Sequence, residues 1–397
     1  MTDTAVGSDK PFIKRDTTEY HRAALALFCA GFATFALLYC VQPLLPQLAQ
    51  AFGVSSASSS LALSLSTFGL AGGLLVSGSL SESWGRKPVM VAALLLACAL
   101  GLATAIVQDW LVLLVLRTLL GLALSGLPAL AMAYIGEEFD PASLPVAMGL
   151  YIGGTALGGL LGRLLTAVLS DWGGWPLALG GIAALGLVAC LLFIWLLPPS
   201  RHFVAQPLSF SVLLGNFASH LRNADLRALF LLSFLLMGSF VALFNYIGFY
   251  LSAEPFSLSS TLIGLLFLVY LMGIWSSNMA GRLVGGRGAK PVLQGSLALM
   301  LAGILLCLTP WLTVIVVGLA VFTTGFFAAH AVASGLVGQR AGHARGQASA
   351  LYLCAYYLGS SVLGYVMGWA WQHWGWSPLT LCLMLALLVC LSVTRRL

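Results

Sequence analysis

Two arginines stand inside long apolar runs of this 397-residue chain, Arg117 and Arg163. An ionised side chain in such a place faces the interior of a helix bundle and marks a functional site by default. No Asp or Glu lies at their depth. Asp109, Asp171 and Glu254 stand at one set of run edges, and Glu82, Glu137, Glu138 and Asp140 stand at the other. Arginines without a carboxylate at their level can bind an anionic solute. His330 also lies deep in an apolar run; it titrates near neutral pH and is the candidate proton carrier, with Arg117 tuning a nearby site electrostatically. Tyr39, Gln42, Asn245, Tyr246, Asn278 and Tyr356 complete the set of polar groups in apolar surroundings. Facing hydrocarbon they would be expensive, so they should line a wet cavity or bond to one another between helices.

A second group of residues occurs twice. Gly78, Leu80, Gly85, Lys87, Pro88 and Val89 recur in register as Gly281, Leu283, Gly288, Lys290, Pro291 and Val292. Trp172-Gly173 recurs as Trp374-Gly375 and Leu150-Tyr151 as Leu351-Tyr352, at nearly the same offset. A basic, Gly-rich loop at matching points of two halves indicates a duplicated membrane unit, and two such halves around one cavity suggest movement of a solute across a bilayer. Gly78 and Gly85 permit a tight turn because neither carries a Cβ. Glu82 falls just beyond the C-terminal end of its helix, where the dipole disfavours an anion, so it needs a cationic partner. Arg86 and Lys87 are near enough to serve, and Glu137 or Glu138 could supply a second acid to Arg86.

These residues must be held by membrane elements. The chain is 60% hydrophobic and only 8% charged, against about 25% charged in soluble domains. Apolar runs of about 20 residues follow one another, each enough to cross roughly 30 Å of hydrocarbon as a helix. Twelve are predicted, at approximately 23–49, 58–80, 88–107, 110–134, 145–169, 175–197, 227–252, 260–282, 291–309, 311–336, 346–371 and 376–394. A β-barrel would alternate apolar and polar residues, and this sequence does not. With a cytoplasmic N-terminus, every Lys and Arg except Arg117 and Arg163 falls at an inner loop or end, the distribution that sets membrane orientation. The formal charge of +6 therefore reports topology and gives no sign of nucleic-acid binding. All eight cysteines lie in apolar runs, and neither a disulfide framework nor a metal-ligand spacing is visible.

The expected domains are a flexible cytoplasmic N-terminus over 1–20, a six-helix bundle over 21–199, a cytoplasmic linker over 200–226 and a second six-helix bundle over 227–397. Within the linker Phe210, Leu213, Leu214, Phe217 and Leu221 share one helical face, which predicts an amphipathic helix on the inner leaflet.

The loop from Gly78 to Pro88 resembles the signature loop between the second and third helices of the major facilitator superfamily. Glu82 stands where Asp is usual, and Ser83 where Arg is common. Arg117 and Gly121 resemble the family's Arg-x-x-x-Gly element of the fourth helix, associated with proton-coupled members. The run Gly153 to Arg163, with Gly154, Gly158 and Gly162, resembles the Gly-rich antiporter element of the fifth helix, although Thr155 or Gly154 replaces the expected Pro. Close helix packing by small residues explains the same glycines equally well. The likeness is to the drug/proton antiporter and arabinose-efflux-permease-like branch of bacterial inner-membrane transporters. It implies an all-α fold of two pseudo-symmetric six-helix bundles, with Tyr39, Gln42, Asn245, Tyr246, Asn278, His330 and Tyr356 lining the cavity.

The expectation is a secondary active transporter, multi-pass in the bacterial inner membrane with both termini cytoplasmic, exporting a small organic solute against proton entry. Its partners are then the lipid bilayer, the solute and protons, and one chain supplies both halves, so a monomer should suffice. A facilitator or symporter for a sugar or organic anion is the alternative. A membrane enzyme would need a nucleophile with a base, or a metal cluster, at one depth; neither is apparent, and no cofactor is called for. The membrane subunit of an ATP-driven pump is a further alternative. Its ATP site would lie on another chain, since no Gly-x-x-x-x-Gly-Lys-Ser/Thr element occurs here.

Overall fold

Without water to bond them, backbone groups in hydrocarbon must be satisfied within the segment, and helices achieve this. The computed structural model describes residues 11–203 and 210–396, with the side chains of residues 78–83, 210–212 and 274 outside the description. Among the described residues the sole β pairing is an isolated bridge between Ile13 and Phe139. The expected partnership of Glu82 and the part given to Gly78 lie outside the described residues.

Eleven helical segments are long and apolar enough to span a membrane. One of them, Leu144–Leu196, leaves helical geometry at Gly173 and Gly174, so it makes two spans and brings the total to twelve. In order, the helices are Thr18–Phe52, Ser56–Trp84, Arg86–Ile106, Trp110–Glu138, 144–172, 175–196, Ala224–Ser252, Ser260–Arg287, Ala289–Leu306, Leu312–Arg340, Arg345–Trp374 and Trp376–Thr394. Neighbours repeat between the halves as the duplicated sequence requires. The first helix packs on the fifth as the seventh does on the eleventh, the second on the fourth as the eighth on the tenth, and the third on the sixth as the ninth on the twelfth. The halves meet where the second helix lies on the eleventh and the fifth on the eighth.

Small residues set the closest approaches. A Cβ at Gly154, Gly158 or Gly162 would overlap the first-helix backbone at Phe28, Phe32 or Ala36 respectively, so one ridge of the fifth helix beds directly into the first. Gly121 meets the backbone of Ser66 in the same way, and Gly359 that of Phe234 in the second half. Side chains would hold these helices apart and forfeit the dispersion contacts that join helices in lipid.

Three spans are discontinuous, which the sequence reading treated as continuous. The first stops at Tyr39, passes through the 3-10 turn Gln42–Leu44 and resumes as Leu45–Phe52, because Pro43 and Pro46 have no N–H to donate. The fourth breaks at Ser125 and Gly126 ahead of Pro128. The eighth tightens into a 3-10 stretch, Leu266–Tyr270, between two α-helical pieces.

The inner face is stitched. Residues 11–17 belong to the segment expected to be flexible, yet they are tied down: Ile13 N–H donates to the Glu138 carbonyl (2.8 Å) and Arg15 N–H to Ser143 Oγ (2.9 Å). The linker carries the helix Phe210–Arg222, with Leu214 and Leu221 exposed and His220 stacked on His343 at 5.0 Å. Both copies of the duplicated loop turn at a glycine with positive φ, Gly85 at 91° and Gly288 at 81°, where only glycine avoids strain.

Candidate functional site

Arg163 lies on the fifth helix with 3% of its surface exposed. Its Nε donates to Gln42 Oε1 (2.7 Å) and its Nη1 to the Gly159 carbonyl (2.6 Å). The guanidinium also sits over three aromatic rings, Tyr39 at 4.2 Å, Tyr270 at 4.9 Å and Phe267 at 5.2 Å, each face offering the cation favourable electrostatics. Two irregular segments produce this arrangement. Gln42 belongs to the 3-10 turn of the first helix, and Phe267 and Tyr270 belong to that of the eighth. Residues three apart eclipse one another in a 3-10 helix, so both rings reach the same cation.

Gln42 continues the chain across the molecule, its Nε2 donating to Asn245 Oδ1 at 2.8 Å. Gln42 and Asn245 are buried and belong to different halves. From this level outward the halves are joined repeatedly. Ser361 Oγ donates to the Ser64 carbonyl (2.6 Å), Gln47 Nε2 to Ser260 Oγ (3.0 Å), and the Asp171 carboxylate accepts from Ser260 N–H (3.2 Å) and Thr261 N–H (2.8 Å). These contacts tie the two halves together at the ends of the bundles away from the chain termini.

Arg117 has a different environment. Its guanidinium donates to the carbonyls of Ala62 (3.1 Å), Leu37 (3.0 Å) and Leu38 (2.6 Å). Leu37 and Leu38 precede the break in the first helix, where carbonyls lose their partners four residues on. Arg117 thus caps a broken helix and ties it to the second.

His330, Tyr352 and Tyr356 form a second cluster inside the second half. Nδ1 of His330 is 3.0 Å from the Tyr352 hydroxyl, and the His330 and Tyr356 rings are 4.7 Å apart. A run of rings, Tyr356 to Phe326 (6.4 Å), Phe326 to Phe240 (3.9 Å) and Phe240 to Tyr270 (5.2 Å), joins this cluster to the surroundings of Arg163. Tyr246 turns away and donates its hydroxyl to the Gly364 carbonyl (2.7 Å). Asn278, farther along the eighth helix, is exposed.

At the inner face Arg86 pairs with Glu137 at 2.7 Å and lies over the Phe203 ring, while Lys87 bonds the Leu197 carbonyl. Glu138 does not join Arg86. It is buried and accepts from the backbone N–H groups of Arg201 (2.7 Å) and His202 (3.0 Å). Lys290, the counterpart of Lys87, bonds the Arg395 carbonyl at 2.7 Å; Gly281 leaves open space beside it.

The sequence reading named Tyr39, Gln42, Arg163 and Asn245 individually, and the structure brings them together. It did not single out Phe267, Tyr270, Tyr352, Gln47 or the capping role of Asp171. The i, i+3 aromatic pair was visible, but a 3-10 stretch in an apolar span leaves no mark that predicts which helix it will face.

Twelve membrane helices among the described residues, in two matching bundles with buried polar groups between them, are the build of a polytopic membrane transport protein. It belongs to the Major Facilitator Superfamily, whose family model matches residues 27–364. It is 48% identical to the inner membrane transport protein YnfM of Escherichia coli (strain K12), over 99% of this chain and 95% of that protein. To the MFS-type transporter YybF of Bacillus subtilis (strain 168) it is 45% identical, over 96% and 94%. Among solved structures it resembles the nucleoside transporter NupG, with a TM-score of 0.76 at 16% identity over 94% of this chain and 99% of that one. It also resembles the xylose transporter XylE of E. coli, with a TM-score of 0.73 at 13% identity over 96% and 98%. At those identities the structural likeness speaks for the fold alone.

Proposed function

We propose that this protein is a secondary active exporter of a small organic solute, working by alternating access and driven by proton entry across the bacterial inner membrane. The observation that carries the reading is the buried hydrogen bond between Gln42 and Asn245. Within each half, helices interlock through glycines that admit no side chain, so each half moves as a unit. Between the halves, beside the packing of the second helix on the eleventh and the fifth on the eighth, the polar ties are individual hydrogen bonds, weak enough to break and re-form in a cycle. His330 is the proton carrier in this scheme: Tyr352 fixes its ring, and the faces of Phe326 and Tyr356 flank it. The termini lie in the cytoplasm, as the distribution of Lys and Arg indicates, and a single chain is the functional unit.

Inside-out vesicles with an acidic lumen provide the test. Adding a transported solute should raise lumenal pH as protons leave in exchange, and dissipating the gradient should stop solute uptake. Solute flux that is indifferent to the gradient would instead favour a facilitator. A growth screen of an overexpressing strain against drugs, sugars and organic acids would supply the solutes to try.

A further inference from the structure

The groups around Arg163 carry a surplus of hydrogen-bond donors. Arginine has donors only, so the Gln42 atom facing Arg163 Nε must be the oxygen. That choice turns the amide nitrogen of Gln42 toward Asn245 and requires the oxygen of Asn245 to receive it. The orientation of the whole chain follows from the guanidinium, leaving Asn245 Nδ2 buried with no partner. The Tyr270 hydroxyl, on a ring 4.9 Å from the same guanidinium, is also buried and unpartnered. A buried donor left unmade costs about 1–3 kcal/mol. Two beside an uncompensated cation call for something that brings acceptors and negative charge.

The described residues do not provide it. Every ion pair described lies at the inner face: Arg86–Glu137, Arg201–Glu19, His202–Glu138 and Arg340–Asp225. The fifth helix has one acid, Asp171, eight residues from Arg163 or about 12 Å along the axis, and its carboxylate is taken up by the start of the eighth helix. Arg117 meets three carbonyls, whereas Arg163 is held by one amide oxygen, one carbonyl and three ring faces.

Resting on the transport reading, we propose that Arg163, Asn245 and Tyr270 receive the carboxylate of an organic anion, whose apolar or aromatic body packs against Tyr39 and Phe267. A carboxylate is acceptor-only with room for several donors, and it outcompetes a neutral amide for a guanidinium. It would therefore displace Gln42 Oε1 from Arg163. Gln42 is then released from one end, which weakens its bond to Asn245 and with it a buried polar tie between the halves. Substrate charge and outer-gate opening are coupled through that one amide.

The test is ligand binding by the purified full-length protein in detergent, read as a melting-temperature shift. The probes are benzoate and phenylacetate, their amides, and benzylamine. The acids should stabilise the parent and the amides and amine should not. Arg163→Gln should weaken acid binding by about 10- to 100-fold, the ordinary worth of a hydrogen bond to a charged group. Arg163→Lys should retain part of it, and Asn245→Ala, which leaves the cation in place, should lower affinity for the acids alone. Amides that bind as well as acids, acids that fail to bind the parent, or an Arg163→Gln protein of parental affinity would each overturn the proposal. Proton-driven flux of a neutral solute without acid binding would sink this site and spare the transport reading. Acid binding with no flux under any gradient would do the reverse.

Discussion

The carboxylate of Asp171, at the outer end of the fifth helix, accepts the N–H of Thr261, in the first turn of the eighth, at 2.8 Å. One bundle thereby caps a helix of the other. Helix starts leave N–H groups unpaired, and an acceptor there also meets the positive end of the dipole. An N-cap is ordinarily supplied by the residue that begins the helix; this acceptor comes from the other bundle, so the bond persists only while these ends stay together.

Asp171→Ala should therefore favour the outward-open form. A cap of this kind is worth about 0.5–2 kcal/mol, so the open population should rise by roughly 2- to 30-fold. Spin labels placed on the outer ends of the fifth and eighth helices should show a longer-distance population growing in the variant. Distances unchanged from the parent would mean that Asp171 is not a latch.

Arg117 should prove a stability residue before a transport residue. Arg117→Leu leaves the carbonyls of Ala62, Leu37 and Leu38 without their donor and should cost about 2–5 kcal/mol, visible as a lower melting temperature in detergent. Arg117→Lys should recover only part, since one ammonium cannot reach carbonyls on two helices in the fork geometry of a guanidinium. A stable Arg117→Leu protein that has merely lost proton coupling would return this arginine to the electrostatic role suggested by its sequence context.

The fifth helix separates two kinds of glycine. Gly158 admits no Cβ because the Phe32 backbone is already there, while Gly153 has open space around it. Gly158→Leu should drive the first and fifth helices apart and cost at least the 1–3 kcal/mol typical of an overpacked core, with loss of folded yield. Gly153→Ala should fold and transport like the parent. Equal behaviour of the two variants, judged by size-exclusion profile and flux, would contradict the packing described.

Much of the fold was legible because the bilayer imposes few solutions. The lengths of the apolar runs, the placement of Lys and Arg, and the repetition of Gly85, Lys87 and Pro88 as Gly288, Lys290 and Pro291 are each strong signals in one dimension. The candidate site was legible in part. Tyr39, Gln42, Arg163 and Asn245 drew notice because polar groups are costly in hydrocarbon, yet nothing in the order of residues says that Arg163 and Gln42 share a level. Their meeting depends on the Pro43 break rotating Gln42 inward and on overwinding that eclipses Phe267 and Tyr270. Asp171 was seen only as an acid at an outer edge, because a cap contributed by another helix leaves no local pattern.

The cluster around His330 yields a prediction with two outcomes that differ in kind. The Tyr352 hydroxyl lies 3.0 Å from Nδ1 and orients the imidazole. If His330 carries the proton, His330→Gln should make solute flux insensitive to pH, since glutamine can bond Tyr352 but cannot titrate. Tyr352→Phe keeps the aromatic ring and removes the hydrogen-bond partner, so the imidazole is no longer held in one orientation. Its flux should fall yet stay pH-dependent, because the titratable group remains. Flux should thus be measured against pH in vesicles for the parent and both variants. A His330→Gln profile that overlays the parent's would exclude His330 as carrier, and a Tyr352→Phe flux equal to the parent's would exclude Tyr352 as the residue that positions it.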